Sequence, residues 1–215
     1  MRISLIVSFV LLGLGCGAGE RRPAVDAPDL AATLTQAAAL VTDRFQQDLR
    51  GELMAAMNTG GAAAAIEVCR TRAPEIAAQH SRVGAWSIAR VSDRPRRPEQ
   101  AADDRQRAAL AKFSDTALAD QALTEWLADE RGDSSFVYYR PIRIGGLCLS
   151  CHGTPDQLAA GVAERLAEVY PGDQATGYAV GELRGMFVVA MAWPAARAEA
   201  ERLVQASRDT TGTAR

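Results

Sequence analysis

The chain has 215 residues, 48% of them hydrophobic and 23% charged, with a formal net charge of -2. That length suits one domain of ordinary size with extensions, and the composition is that of a globular chain rather than a disordered one. Nucleic acid, which selects strongly basic surfaces, is excluded as a partner on charge.

The N-terminus reads as an export signal over residues 1–16. Arg2 supplies the positive start, Ile3 to Leu14 the apolar run, and Gly13-Leu14-Gly15 the small-residue exit. A membrane-spanning helix needs about 18 apolar residues, more than this run supplies, so a periplasmic location is expected. Cys16 resembles the lipidated cysteine of bacterial lipoproteins, with Gly13 standing where such signals usually carry leucine. Lipidation there would anchor the protein to a membrane. Residues 17–29 mix glycine, proline and charge, as a tether does. Once Cys16 is processed, Cys69, Cys148 and Cys151 remain in an oxidising compartment. An odd count suits two thioethers and one separate thiol better than a disulfide framework.

Apolar residues from Leu30 to Met57 recur every three or four positions and predict a helix over 29–58, ended by Gly60-Gly61. A second helix is expected over 62–79, with Pro74 loosening the turn that contains Arg70. Residues 84–91 suit a strand, 92–100 (SDRPRRPEQ) a loop, and 100–113 a helix. A further helical pattern holds Leu118, Ala122, Leu123, Trp126 and Leu127. Residues 135–144 read as a strand, with Pro141 hinting at a sheet edge. Thr154, Pro155 and Gln157 form a helix-start signature for a helix that buries Leu158, Val162, Leu166 and Val169. Strands near 177–182 and 185–192, joined at Leu183-Arg184, precede a short helix and polar tail over 194–215. Early helices and late strands predict an α+β fold with helices packed on an antiparallel sheet over residues 30–193.

The chemistry concentrates in CLSCH, Cys148 to His152. In a c-type haem attachment motif, Cys148 and Cys151 would form thioethers to the vinyl groups and His152 would bind the iron. Zinc wants four nitrogen or sulfur ligands, and the adjacency of Cys151 and His152 would force it to recruit both Cys69 and His80. A Cys148–Cys151 disulfide leaves Cys69 and the neighbouring histidine unexplained, and no thioredoxin-like βαβ pattern accompanies it. Haem is therefore the expected cofactor, one group, covalently held.

The second axial ligand has three kinds of candidate: Cys69, His80 and the methionines. Cys69 shares a helical face with Ala62, Ala65, Ile66, Ala73 and Ile76, small enough to let a flat macrocycle approach. His80 lies eleven residues on, roughly 16 Å along a straight helix, so the two cannot reach one iron. Met54, Met57, Met186 and Met191 sit in apolar stripes and read as core.

Cys69 with Ala73-Pro74, YYRPIRI before LCLSCHG, and YPGDQATGYAVGELRG after it, in that order, resemble the PAS-like c-type haem family with His/Cys axial ligation. That domain also serves as the periplasmic sensor module of haem-containing histidine kinases and chemotaxis receptors. The resemblance runs from about residue 34 to 192 and implies Cys69 as thiolate ligand, His152 as the opposite ligand, and Cys148 and Cys151 as attachment points. Glu182 stands where the resemblance leads one to expect aspartate, and the RPRRP loop is more basic than its counterparts. Arg94, Arg96 and Arg97 are candidates to pair with haem propionates, set against a solvated loop.

A thiolate favours ferric iron, so a low reduction potential is expected. Six-coordinate iron offers no position to a substrate, which argues against an enzyme. It leaves redox or small-gas sensing, in which Cys69 departs on reduction and admits NO or CO. Electron transfer with both ligands retained is the alternative, and a non-haem binding module with a disulfide a further one. The chain ends soon after the last expected strand, so a sensor's output would pass to a separate signalling protein and an electron carrier's to a redox partner.

Overall fold

The computed structural model describes residues 27–82, 85–115, 118–128 and 134–212. The export signal, Cys16 and most of the tether lie outside the described residues. Among the described residues no helix is long and apolar enough to cross a membrane.

The apolar stripe from Leu30 to Leu53 drives the long helix α1 (Ala27–Glu67), which takes up the last residues of the expected tether. Gly60-Gly61 kinks this helix rather than ending it: Gly61 adopts φ 74° and ψ −176°, and helix resumes at once. Pro74 has no N–H to offer the Arg70 carbonyl. Over Val68–Arg72 the backbone widens into a π-turn closed by Ala73 N–H on the Val68 carbonyl, and α2 (Ala73–Arg82) follows. Cys69 therefore sits in a widened turn, not in a regular helix.

Strands β1 (Ser87–Val91), β2 (Leu123–Ala128), β3 (Ser134–Arg143) and β4 (Leu183–Ala192) form an antiparallel sheet in the order β1-β4-β3-β2. Side chains alternate across it. Phe136, Tyr138, Phe187, Val189 and Met191 face α1, α2 and the C-terminal helix α6 (Ala195–Gly212). Val137, Tyr139 and Met186 face α3 (Asp104–Lys112), whose start carries an Asp103/Gln106 capping box. The expected α+β architecture, helices on an antiparallel sheet, is the one observed. Short helices α4 (Leu149–His152) and α5 (Val162–Val169) bridge β3 to β4.

Several local expectations are revised. The segment with Leu123, Trp126 and Leu127 is strand β2, not helix; its side chains alternate between half-buried and exposed, and Trp126 packs edge-on against Phe136 and Trp193. Strand β3 is interior, yet its pairing with β2 stops at Tyr139, so Pro141 lies where β3 is locally an edge. Thr154 and Gln157 make their cap contact (Thr154 N–H to Gln157 Oε1, 3.0 Å), but the chain turns, and α5 starts only after Gly161 at φ 75°. Residues 177–182 form no strand. Positive φ at Gly177 and Gly181 breaks the extension, and their N–H groups bond the Gly153 and Ile144 carbonyls instead. The short final helix is the 18-residue α6, with Ala196 and Ala200 fully buried.

Candidate functional site

A cavity opens between α1 with its π-turn, the adjoining ends of β1, β3 and β4, and the turn holding CLSCH. It has about 1210 Å³ of atom-free space, counted to its open mouth. Leu49, Leu53, Met57, Ile66, Ile142 and Ile144 give it apolar walls. Cys69, Cys148, Cys151 and His152 all line it. The chain thus brings the π-turn thiol and the CLSCH turn, far apart in sequence, to one space. None of the three cysteines is in a disulfide, and burial pushes the Cys151 thiol pKa up. Among the described residues, no three His, Cys, Asp or Glu side chains come close enough to hold a single metal ion.

His80 is elsewhere. Its Nε2 pairs with Asp48 Oδ2 at 2.8 Å and its ring stands edge-on to Phe45, so it is tied to α1 rather than solvated. Met186 and Met191 are core, as expected, while Met57 contributes to the cavity wall.

His152 is held in one tautomer. Its Nδ1 lies 2.6 Å from the Ala175 carbonyl, which only accepts, so Nδ1 carries the proton and donates. Nε2 is left with its lone pair. Burial, then the Arg96 and Arg184 charges, push the imidazole pKa down to about 3, which leaves the ring neutral at ordinary pH. A neutral imidazole oriented by an Nδ1–H bond to a carbonyl is the arrangement of a metal-ligating histidine.

The loop expected to be solvated divides. Arg94 is exposed, its guanidinium 4.0 Å from the Tyr178 ring centroid and bonded to the Gln174 and Thr176 carbonyls. Arg96 is 6% exposed and makes four contacts: Asp173 Oδ2 at 3.0 Å, the Cys151 carbonyl at 2.7 Å, and the Ala175 carbonyl and His152 Nδ1 at longer range. Asp173 Oδ1 in turn accepts the Ala175 N–H at 2.8 Å. Arg97 lines the cavity. Its buried Nε makes no hydrogen bond, although Glu99 Oε1 lies 3.2 Å away.

Residues 173–182 act as a strap over CLSCH. Tyr178 N–H bonds the His152 carbonyl at 2.9 Å and Gly177 N–H the Gly153 carbonyl at 2.7 Å. Glu182 Oε2 caps the strap by accepting the Ala179 N–H. Asp173, Ala175, Arg90 and Arg184 were not identifiable as site residues from spacing. The signal that bears on Asp173 and Ala175 is the YPGDQATGY stretch, which reads as loop and turns out to hold His152.

The family model described as Tll0287-like matches residues 20–192. Among solved structures, the chain is similar to the one described as the crystal structure of the cyanobacterial heme-protein Tll0287. Identity is 24% and the TM-score 0.55, with 79% of this chain and 98% of that chain covered. A search of curated proteins finds no match.

Proposed function

The chain belongs to the Tll0287-like family, and we propose that it is an exported monohaem c-type cytochrome that works in redox or small-gas sensing. The observation that carries this reading is the convergence of Cys69, Cys148, Cys151 and His152 on one apolar cavity. Their separation supports a macrocycle rather than a bare ion, since no three of them form a metal-ion cluster. Similarity to a heme-protein of the same fold supports it further.

The residues fit the group. Cys148 and Cys151 would hold haem c through thioethers, and His152 Nε2 and Cys69 Sγ would be the side-chain ligands to its iron. Bound there, haem c supplies one-electron exchange between ferric and ferrous iron. The protein's part is orientation and exclusion. The strap and the Ala175 carbonyl fix the imidazole, and the leucine and isoleucine walls give a macrocycle apolar surface to pack on. Cys69 sits in a π-turn, a geometry that recurs at functional positions. That supports Cys69 as the residue that would let go on reduction, its Sγ taking a proton from solvent at the open mouth, with NO or CO as the ligand the site would then accept. A second reading, electron transfer with both ligands retained, is favoured by Leu147. It lines the cavity and stays 44% exposed, an apolar contact for a redox partner.

Absorption and EPR spectra of the exported protein beside Cys69→Ala test the assignment. Low-spin thiolate features are expected in the first and absent from the second; identical spectra would remove Cys69 from the iron. An altered Soret band when CO is added to reduced protein selects sensing, and an unchanged one selects electron transfer.

A further inference from the structure

The cavity wall carries more positive charge than the protein balances. Arg90, Arg96, Arg97, Arg143 and Arg184 line it, and among the described residues no aspartate or glutamate does. Three of the five have carboxylates behind them: Asp173 for Arg96 at 3.0 Å, Glu99 for Arg97 at 3.2 Å, and Asp120 for Arg143 at 3.7 Å. Arg90 and Arg184 form no ion pair among the described residues; the Cys69 sulfur acts on Arg90 and Asp173 on Arg184 only at longer range. Arg90 sits 6.0 Å from the Phe45 ring centroid. Arg184 donates to Ser92 Oγ at 2.8 Å and to the Arg94 carbonyl at 3.1 Å, both neutral acceptors. Burial pushes both guanidinium pKa values down, and the neighbouring arginines add to the effect in each case. Both are half-buried, and a partly desolvated cation with no ion pair is disfavoured unless a ligand supplies the charge.

We propose that Arg90 and Arg184 form an anion clamp for the two propionate carboxylates of the haem, an assignment that rests on the haem reading above. The charges match. Ferric iron in a dianionic ring carries one net positive charge, which the Cys69 thiolate cancels, so the two propionates are what the pocket has to neutralise. Two unpaired guanidiniums meet two carboxylates, and the planar fork of arginine suits each of them. This differs from the pairing expected of the RPRRP loop. Arg94 is spent on Tyr178 and backbone carbonyls and Arg96 on Asp173.

The test uses the exported, haem-loaded protein with Arg90→Gln and Arg184→Gln, each with an Arg→Lys counterpart. Covalent haem per chain, measured as the pyridine haemochrome, normalises every spectrum to the pigmented fraction. In each Gln variant the propionate bending bands of the resonance Raman spectrum shift. The midpoint potential falls, because removing a nearby positive charge favours ferric iron by about tenfold, or about 59 mV for one electron. The Lys variants keep the midpoint and shift the bands, since an ammonium cannot form the fork. Wild-type bands and midpoint in pigmented Gln variants would overturn the clamp. Should a Gln variant fail to accumulate, the Lys variant decides: shifted bands support the clamp and wild-type bands overturn it. A colourless wild-type protein would instead sink the haem reading itself, a separate result.

Discussion

Replacing Arg96 by methionine removes the buried tie between the RPRRP loop, CLSCH and the strap. Arg96 is 6% exposed and its partner Asp173 has a side chain 8% exposed, so neither charge can turn to water. In Arg96→Met, Asp173 keeps the Ala175 N–H at 2.8 Å as its partner and loses its ion-pair partner. Removing one member of a buried pair costs about 3–5 kcal/mol, a large share of the about 5–15 kcal/mol that holds a domain folded. Guanidinium chloride unfolding followed by far-UV circular dichroism reads the loss as a lower midpoint. The double variant Arg96→Met/Asp173→Leu strands no charge and should lose less than the two singles together, by at least about 1 kcal/mol. A loss below about 1 kcal/mol in Arg96→Met, as an exposed pair would give, would refute the reasoning. So would strict additivity in the double variant.

Gly185 lines the cavity, and a Cβ there would sit 2.3 Å from the Val91 carbonyl oxygen, a backbone atom that cannot yield without opening the β1–β4 pairing. Gly185→Ala should therefore cost about 3 kcal/mol or more, seen as a lowered denaturation midpoint and a smaller yield of pigmented protein. His80→Ala loses a half-exposed pair with Asp48 and should cost about 0.2–1 kcal/mol. Its absorption spectrum should equal that of wild type, and a moved Soret band would contradict a position outside the cavity.

The site was legible where chemistry is written in local spacing and the fold where periodicity is unambiguous. CLSCH names its own residues, and the stripe from Leu30 to Leu53 names its helix. YYRPIRI, with aromatic and branched residues in a row, gives β3. Leu123, Trp126 and Leu127 are ambiguous: their spacing fits a helical face, and Leu123 with Leu127 also fits alternate positions of a strand. Pairing with Tyr139, Phe136 and Ser135 decides for the strand, and that pairing is tertiary. The strap failed as a strand because Gly177 and Gly181 turn its N–H groups toward CLSCH and the end of β3, not toward a neighbouring strand. Arg96 read as a solvated loop residue because its burial depends on Asp173, which the fold alone brings within 3.0 Å. Arg90 and Arg184 escaped notice for a related reason. Arg90 lies on β1 with no motif around it, Arg184 stands near the end of the YPGDQATGYAVGELRG stretch without a chemical signature of its own, and only the shared cavity brings the two together.

Acid-acetone extraction of the exported wild-type protein tests the covalent attachment at Cys148 and Cys151 most directly. The pigment should stay with the polypeptide and travel with it on a denaturing gel. Colour passing into the acetone phase, or exported protein with no colour at all, would contradict the account.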